Sequence, residues 1–390
     1  MTLPDVLLLH RFRSFDQPEA LPLRPITLVM GANNAGKSAI LRAIATMGAS
    51  LVPRVGTPLA VPPADPRTLA WQGRAELYDW QLGLRWSEGT VREVRWTLDA
   101  SSTRDLYVRQ IDVRRADGPP LVAREEASGR LVLQGAESEV TLDGLMPTSE
   151  PLRDVAEALR PLVDSVCWLS GVRARVTEQV PRRGPARLES DGAGAAQLLA
   201  RDPVLVDSVN AFYAKLLPPR LLEVRSQPPS GHRLTLNPAA APSFDIAFDA
   251  TGEGMSQVLP VLVQASLTAR EGGILAVEEP ESHLHSDAQQ ALAEHLCALV
   301  AAHRSTVRFV IETHSRVFLL GTQLAVAKGE LSPDDVSVLW VDQEATGQSR
   351  VAAVGLDAQG RLDARWPPSA LRQDVSLARA LHRLGREAEP

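Results

Sequence analysis

Four short strings carry residues whose types and spacing suit work on phosphates. The first, Gly31-Ala32-Asn33-Asn34-Ala35-Gly36-Lys37-Ser38, satisfies the full G-x-x-x-x-G-K-[ST] pattern. Its glycines let backbone N–H groups curl around phosphate oxygens, and a following helix adds partial positive charge at its start. Lys37 reaches the β/γ-phosphates as a compact cation, and Ser38 supplies an oxygen to Mg2+. Only three of the 41 basic side chains are lysine (Lys37, Lys215 and Lys328). Arginine, planar and bulky, cannot replace the point charge that this position needs.

The second string, Ile274-Leu275-Ala276-Val277-Glu278-Glu279-Pro280-Glu281, runs an apolar strand pattern into paired carboxylates. In a parallel sheet such a strand end lies where ligands bind. Glu278 is expected to hold Mg2+ through water and Glu279 to orient the attacking water, with Glu281 as an alternative base. The third, Thr251-Gly252-Glu253-Gly254-Met255-Ser256-Gln257, precedes an apolar helix and forms a second anion-binding helix start, unless it is a plain cap. One nucleotide rarely needs two such ends, so the second suits a nucleotide held by another subunit. The fourth, Phe309-Val310-Ile311-Glu312-Thr313-His314-Ser315, places His314 just after a strand, where it can sense a γ-phosphate. His283 and His285, with no cysteine nearby, do not suggest zinc.

These strings need a frame that converges strand ends. Strands are expected at 5–12 and 25–30, then a helix from 37 to about 51. Alternating apolar residues and the turn dipeptides Asp117-Gly118 and Ser128-Gly129 point to an antiparallel meander over 76–143. Four tryptophans between 71 and 96 suit sheet packing better than base stacking. Helical spacing covers 151–166 and 194–217, and strands are expected at 219–225 and 244–249. From 272 onward strand, loop and helix alternate, which implies a parallel sheet. A strand pair (336–341 and 350–354) and a helix near 370–385 follow.

With 390 residues, 44% hydrophobic and 23% charged, the chain has globular composition and enough length for a sizeable core. A net charge of −6 excludes a wholly basic nucleic-acid coat. Two cysteines, Cys167 and Cys297, cannot build a disulfide framework and fit a reducing setting. No run approaches the ~20 apolar residues of a membrane span. No signal peptide is read, and a cytoplasmic location without membrane partners is expected.

Taken together, the strings resemble ATPase heads of the ABC superfamily that act on DNA: SMC, RecF and especially the OLD-like (overcoming lysogenization defect) ATPases. The opening His10-Arg11-Phe12-Arg13-Ser14-Phe15 is similar to their first strand, where a basic residue near Arg13 approaches the nucleotide. Glu279-Pro280-Glu281-Ser282-His283-Leu284-His285 resembles an element of OLD-like members. Residues 251–257 look like a shortened signature, 312–315 like their switch histidine, and Trp168-Leu169-Ser170-Gly171-Val172-Arg173 like a segment between lobes.

The resemblance implies an α/β fold: an ABC-type P-loop head over 1–330 with a mixed or parallel core sheet. It would carry an antiparallel β-subdomain (76–143) and a helical lobe (150–217), with a small C-terminal unit over 331–390. It implies ATP and Mg2+ as ligands, with slow hydrolysis. Gly31, Asn33, Asn34, Ala35, Gly36, Lys37, Ser38, Ala39 and Arg13 would line one nucleotide, and Gly252, Gly254, Ser256 and Gln257 would cover the partner's. Lys37, Glu279 and His314 would be catalytic, and Ser38 and Glu278 would hold the metal. It further implies a homodimer or higher oligomer closed around ATP, a separate effector, DNA contact, and a role in defence or repair. The arginines between 173 and 187 either touch phosphates or form a solvated surface loop. Gln72 and Gln81 are candidates for the glutamine that links nucleotide to arm.

Glu278 stands where most such heads have Asp, which favours slow turnover or a regulator with little turnover as the alternative. Asp334, Asp335 and Asp342 form no nuclease set, so nuclease activity is not expected. A missing L-S-G-G-Q string argues against a transporter motor.

Overall fold

The computed structural model describes residues 2–51, 69–71, 79–101, 104–136, 138–229 and 231–367. Gln72 and the helix expected near 370–385 lie outside the described residues. The chain opens with β1 (Val6–His10), β2 (Glu19–Pro22), β3 (Ile26–Gly31) and α1 (Lys37–Ser50). An antiparallel run follows: β4 (Trp80–Arg85), β5 (Val91–Ser101), β6 (Arg104–Arg115), β7 (Leu121–Glu125), β8 (Leu131–Leu133), β9 (Glu139–Val140), β10 (Leu142–Asp143) and β11 (Met146–Pro147). Next come α2 (Arg153–Leu159), β12 (Val166–Leu169), β13 (Gln179–Val180), α3 (Ala195–Arg201), α4 (Pro203–Tyr213), β14 (Arg220–Gln227) and β15 (Gly231–Pro238). The last third contains α5 (Glu253–Glu271), β16 (Gly273–Glu278), α6 (Ser286–His303), β17 (Val307–Glu312), α7 (Arg316–Ala327), β18 (Val336–Gln343) and β19 (Ser349–Val354).

A six-stranded sheet in the order β12-β16-β17-β3-β18-β19 organises the molecule. Its first five strands are parallel and only β19 runs antiparallel. Each strand is apolar on both faces, as a sheet covered on both sides requires. Alternation then divides its residues between two cores. Ile26, Leu28, Leu275, Val277, Phe309 and Ile311 face the side holding α4, α5 and α6. Val29, Ile274, Ala276, Val310, Leu339 and Val341 face α1 and the antiparallel sheet. Consecutive residues point to opposite faces because the strand period is two.

The antiparallel sheet has eight strands, β2-β1-β4-β5-β6-β7-β8-β9. It is therefore more than the expected insertion, because the N-terminal strands β1 and β2 form its far side. Trp80, Trp86 and Trp96 are buried in it, with the Phe12 and Trp80 ring centroids 5.2 Å apart. These tryptophans pack a core.

Three boundaries differ from the sequence expectation. The helix expected across 151–166 stops at Leu159, where Arg160-Pro161 begins a 3-10 turn, and β12 continues as a parallel neighbour of β16. The helix expected at 194–217 divides at Asp202, whose carboxylate caps α4 by accepting from Val204 N. The strand expected at 244–249 is a single bridge, Thr235 with Ala247, beside the unanticipated β15. The segment after 330 does not stand apart either: β18 pairs in parallel with β3 itself.

Candidate functional site

The phosphate-loop string joins β3 to α1. Ala35 and Lys37 are buried, while Asn33 and Asn34 stand exposed on the outer turn, Asn34 with φ 62°. Gly36 caps α1 in the left-handed region at φ 100°, and a Cβ there would collide with the hydroxyls of Ser14 and Ser349. Ser349 Oγ donates to Ala35 O at 2.6 Å, and Ser349 N donates to Ser14 O at 2.8 Å. A Cβ on Gly31 would meet the carbonyl of Val341. The loop is thus gripped from outside its own sequence by the 11–15 turn and by β18 and β19. Ala39 is buried in the first turn of α1, its N–H donating to Gly36 O.

Lys37 Nζ donates to Gly31 O at 3.2 Å and to Ala32 O at 2.7 Å, folding back over the loop. Burial lowers its pKa, against the raising influence of Glu312 and Glu279. Ser38 Oγ donates to Glu312 Oε1 at 3.0 Å. Glu312 is 4% exposed, and burial pushes its carboxyl up to about 7, with the charge of Glu278 adding to the shift.

The three parallel strand ends converge beside this loop. Glu278 closes β16: its Oε1 accepts from Trp168 Nε1 at 3.2 Å and its Oε2 from Gly171 N at 3.1 Å. Arg42 of α1 lies over the Trp168 ring, 5.0 Å from the centroid, with Nε 3.9 Å from Glu278 Oε1. Arg13 sits in the field of Glu278 and Arg42; its Nε is buried without a hydrogen-bond partner, and burial lowers its pKa. Glu279 turns out of the strand at φ 41°, its N–H held by Glu312 O at 2.8 Å. The Glu279 carboxylate accepts from Ser282 Oγ at 3.0 Å and lies 3.8 Å from His314 Nε2. Burial and Lys37 lower the pKa of His314.

Glu281, the alternative base, is buried, and its Oε1 accepts from Thr313 Oγ1 (2.5 Å), His314 N (3.1 Å) and Ser315 N (3.3 Å). That geometry fixes the turn that presents His314. Ser315 then caps α7 by accepting from Phe318 N.

The second glycine-bearing helix start is held elsewhere. Gly252 and Glu253 are exposed at the tip of α5, and a Cβ on Gly252 would meet nothing. A Cβ on Gly254 would strike His283 O. Ser256 Oγ accepts from Val176 N at 2.9 Å and Gln257 Nε2 donates to Arg173 O at 3.2 Å.

Arg173 links the two groups. Its guanidinium is buried, donating to the carbonyl of Glu278 and, at 3.5 Å, to that of Glu279. Burial lowers its pKa to about 10, with Glu281, Glu278 and Glu279 opposing. Sequence reasoning placed Arg173 in a surface arginine cluster; instead Arg187 pairs with Asp164 and Arg175 reaches Asp249 O, so the cluster is not one face. It also gave no role to Glu312, Ser14 or Ser349, and quoted Trp168 only as part of the 168–173 segment. Gln81 is engaged with His10 and Thr97 on the antiparallel sheet.

The G-x-x-x-x-G-K-S turn between β3 and α1, with acids at two neighbouring parallel strand ends and a histidine in the next turn, is set in the fold of an ABC-type ATPase head. Residues 237–321 match the family described as "AAA domain, putative AbiEii toxin, Type IV TA system". That stretch holds the α5 start, Glu278, Glu279, Glu312 and His314. The chain is similar in structure to an SmcHead bound to the C-winged helix domain of ScpA. The TM-score is 0.50 and the identity 13%, over 91% of this chain and 98% of that one. An Smc head domain with an extended coiled coil, bound to the C-terminal domain of ScpA derived from Pyrococcus furiosus, matches with TM-score 0.50 and 12% identity. That match covers 98% of this chain and 100% of the other. At such identity the likeness is one of fold. No curated protein sequence matches. Among the described residues no helix is long and apolar enough to cross a membrane.

Proposed function

We propose that the chain is a slow ATP hydrolase whose heads pair around ATP as a conformational switch. The observation that carries this reading is Glu279 beside His314, 3.8 Å apart, at the lip of a complete phosphate loop. Lys37 and the N–H groups at the start of α1 bind the triphosphate. Glu279, half-exposed and steadied by Ser282, accepts a hydrogen bond from the attacking water and aims it. His314 reads the presence of the γ-phosphate. The buried pair of Ser38 and a strand-end acid fits Mg2+, with Glu278 nominated by resemblance. When bound, Mg2+ neutralises developing phosphate charge.

Pairing rests on the exposed tip of α5. Gly252, Gly254, Ser256 and Gln257 cover the partner's nucleotide, and Ser256 must exchange Val176 N for a phosphate oxygen as the heads close. Through Arg173, that exchange would be felt at the backbone of Glu278 and Glu279. Both solved SMC heads carry a ScpA domain, which supports a separate partner protein here. The OLD-like strings favour defence or repair involving DNA. The second reading, a nucleotide-binding regulator with little turnover, is favoured by Glu278 in place of Asp.

Phosphate release and light scattering separate the two. Glu279→Gln should lower turnover about 100- to 1,000-fold and hold a dimer in ATP. A wild-type rate equal to that of Glu279→Gln would leave the regulator reading. A variant that stays monomeric at saturating ATP would remove the pairing.

A further inference from the structure

Glu312 closes β17 as the register partner of Glu278 on β16, so both acids project from the same face of the sheet. Their surroundings differ. Each Glu278 oxygen already has a donor, Trp168 Nε1 on one and Gly171 N on the other, with Arg42 near the first. Glu312 is 4% exposed, and only its Oε1 has a donor, the Ser38 hydroxyl. Its Oε2 is fully buried with no hydrogen-bond partner. Lys37, whose charge acts on Glu312, spends its Nζ on the carbonyls of Gly31 and Ala32. A buried acid oxygen without a donor, facing a second acid, is costly unless a cation completes it.

We infer that Glu312 is the carboxylate through which this chain holds the divalent cation of its phosphate-loop site, together with Ser38, while Glu278 is held back by Trp168 and Gly171. The inference rests on the phosphate-loop reading above and deepens it. Oxygen donors at this position suit a hard cation such as Mg2+, which takes one or two carboxylates and fills its shell with phosphate oxygens and water. Among the described residues no group of three or more His, Cys, Asp or Glu side chains is arranged to hold a metal. A shell of Ser38 and Glu312 would therefore be completed by the nucleotide, and cation and triphosphate would bind as one unit. The backbone carbonyl of Glu312 also accepts from Glu279 N, so the cation ligand and the water-orienting residue share one peptide contact.

The test uses the full chain, a fluorescent non-hydrolysable ATP analogue and Mn2+ as the spectroscopic probe. Nucleotide affinity is measured first in EDTA, then Mn2+ affinity of the nucleotide complex by the loss of the free-Mn2+ resonance. Glu312→Gln should bind nucleotide like the wild type in EDTA, yet bind Mn2+ about 10- to 100-fold more weakly. Glu278→Gln should lose less. In EDTA, Glu312→Gln should also melt no lower than the wild type, because the neutral amide removes a buried, half-satisfied charge. Should it fail to fold, Glu312→Asp takes its place: the shorter acid should give an intermediate Mn2+ affinity. Wild-type Mn2+ affinity in either variant overturns the assignment, as does a larger loss in Glu278→Gln. Lys37→Ala separates this failure from that of the parent reading. If it binds nucleotide in EDTA as well as the wild type does, the phosphate-loop reading falls and the cation assignment with it.

Discussion

Helices α1 and α5 both begin at glycines, and their starts are built in opposite ways. The start of α1 is enclosed: Gly36 has no room for a Cβ, Ser349 and Ser14 brace the loop, and β18 presses on Gly31. The start of α5 projects into open space at Gly252 and is tied down only one turn later, by Ser256 and Gln257 on the 173–176 segment. Packing holds the first start in one geometry, whereas an exposed tip such as the second suits a surface completed by another molecule.

Paired glycine substitutions test that contrast most strongly. Gly36→Ala should cost about 2 kcal/mol or more, because a Cβ in the left-handed region is strained and meets two hydroxyl oxygens. It should also weaken nucleotide binding. Gly252→Ala should stay within about 0.5 kcal/mol of the wild type in urea unfolding, yet reduce ATP-dependent association. Equal stability losses at both positions would erase the distinction.

Acid should act on the core beneath α5. His295 on α6 is buried against Phe212, with ring centroids 6.2 Å apart, and its Nε2 has no hydrogen-bond partner. Burial, with Lys215 adding, lowers its pKa to about 4. In the unfolded chain the same imidazole titrates near 6.5, so between about pH 6.5 and 4 the unfolded state binds more protons. Its contribution is therefore complete above that window and lost on descending through it, on the order of 3 kcal/mol in all. Urea midpoints measured from pH 7.5 to 4.5 should fall for the wild type and fall less for His295→Leu. Identical slopes would show that His295 is not the group responsible.

The smallest effect is expected at the tie itself. Ser256→Ala leaves Val176 N without its acceptor and should cost about 1 kcal/mol. Its larger consequence should be a weaker ATP-induced dimer, read by light scattering. A variant that dimerises normally would show that the tip of α5 does not meet the partner's nucleotide.

Where local order alone decides geometry, the residues were legible in advance. A glycine-rich turn between an apolar strand and a helix can close in few ways, so residues 31–38 announced both the turn and α1. The apolar runs of β16 and β17 likewise announced parallel strands and the carboxylates and histidine at their ends. What escaped was every feature made by residues distant in sequence. β12 is a four-residue run, just past the expected helix, that becomes a strand only because β16 supplies its ladder. β18 joins the head because its register fits β3, which no local pattern records. Arg173 resembled its solvated neighbours, yet folding buries it under the carbonyls of Glu278 and Glu279.

The chain's order of residues by itself determined a glycine-rich loop opening a helix, a parallel α/β frame and the acids at its strand ends. Only the tertiary structure decided what those acids meet. Glu278 and Glu312 are chemically alike, and each ends an apolar strand. They differ because one meets an indole, an amide and an arginine while the other meets a serine hydroxyl and, at its second oxygen, no donor. The strength of a carboxylate's tie to its surroundings depends on the donors that packing brings within about 3 Å, and packing belongs to the fold.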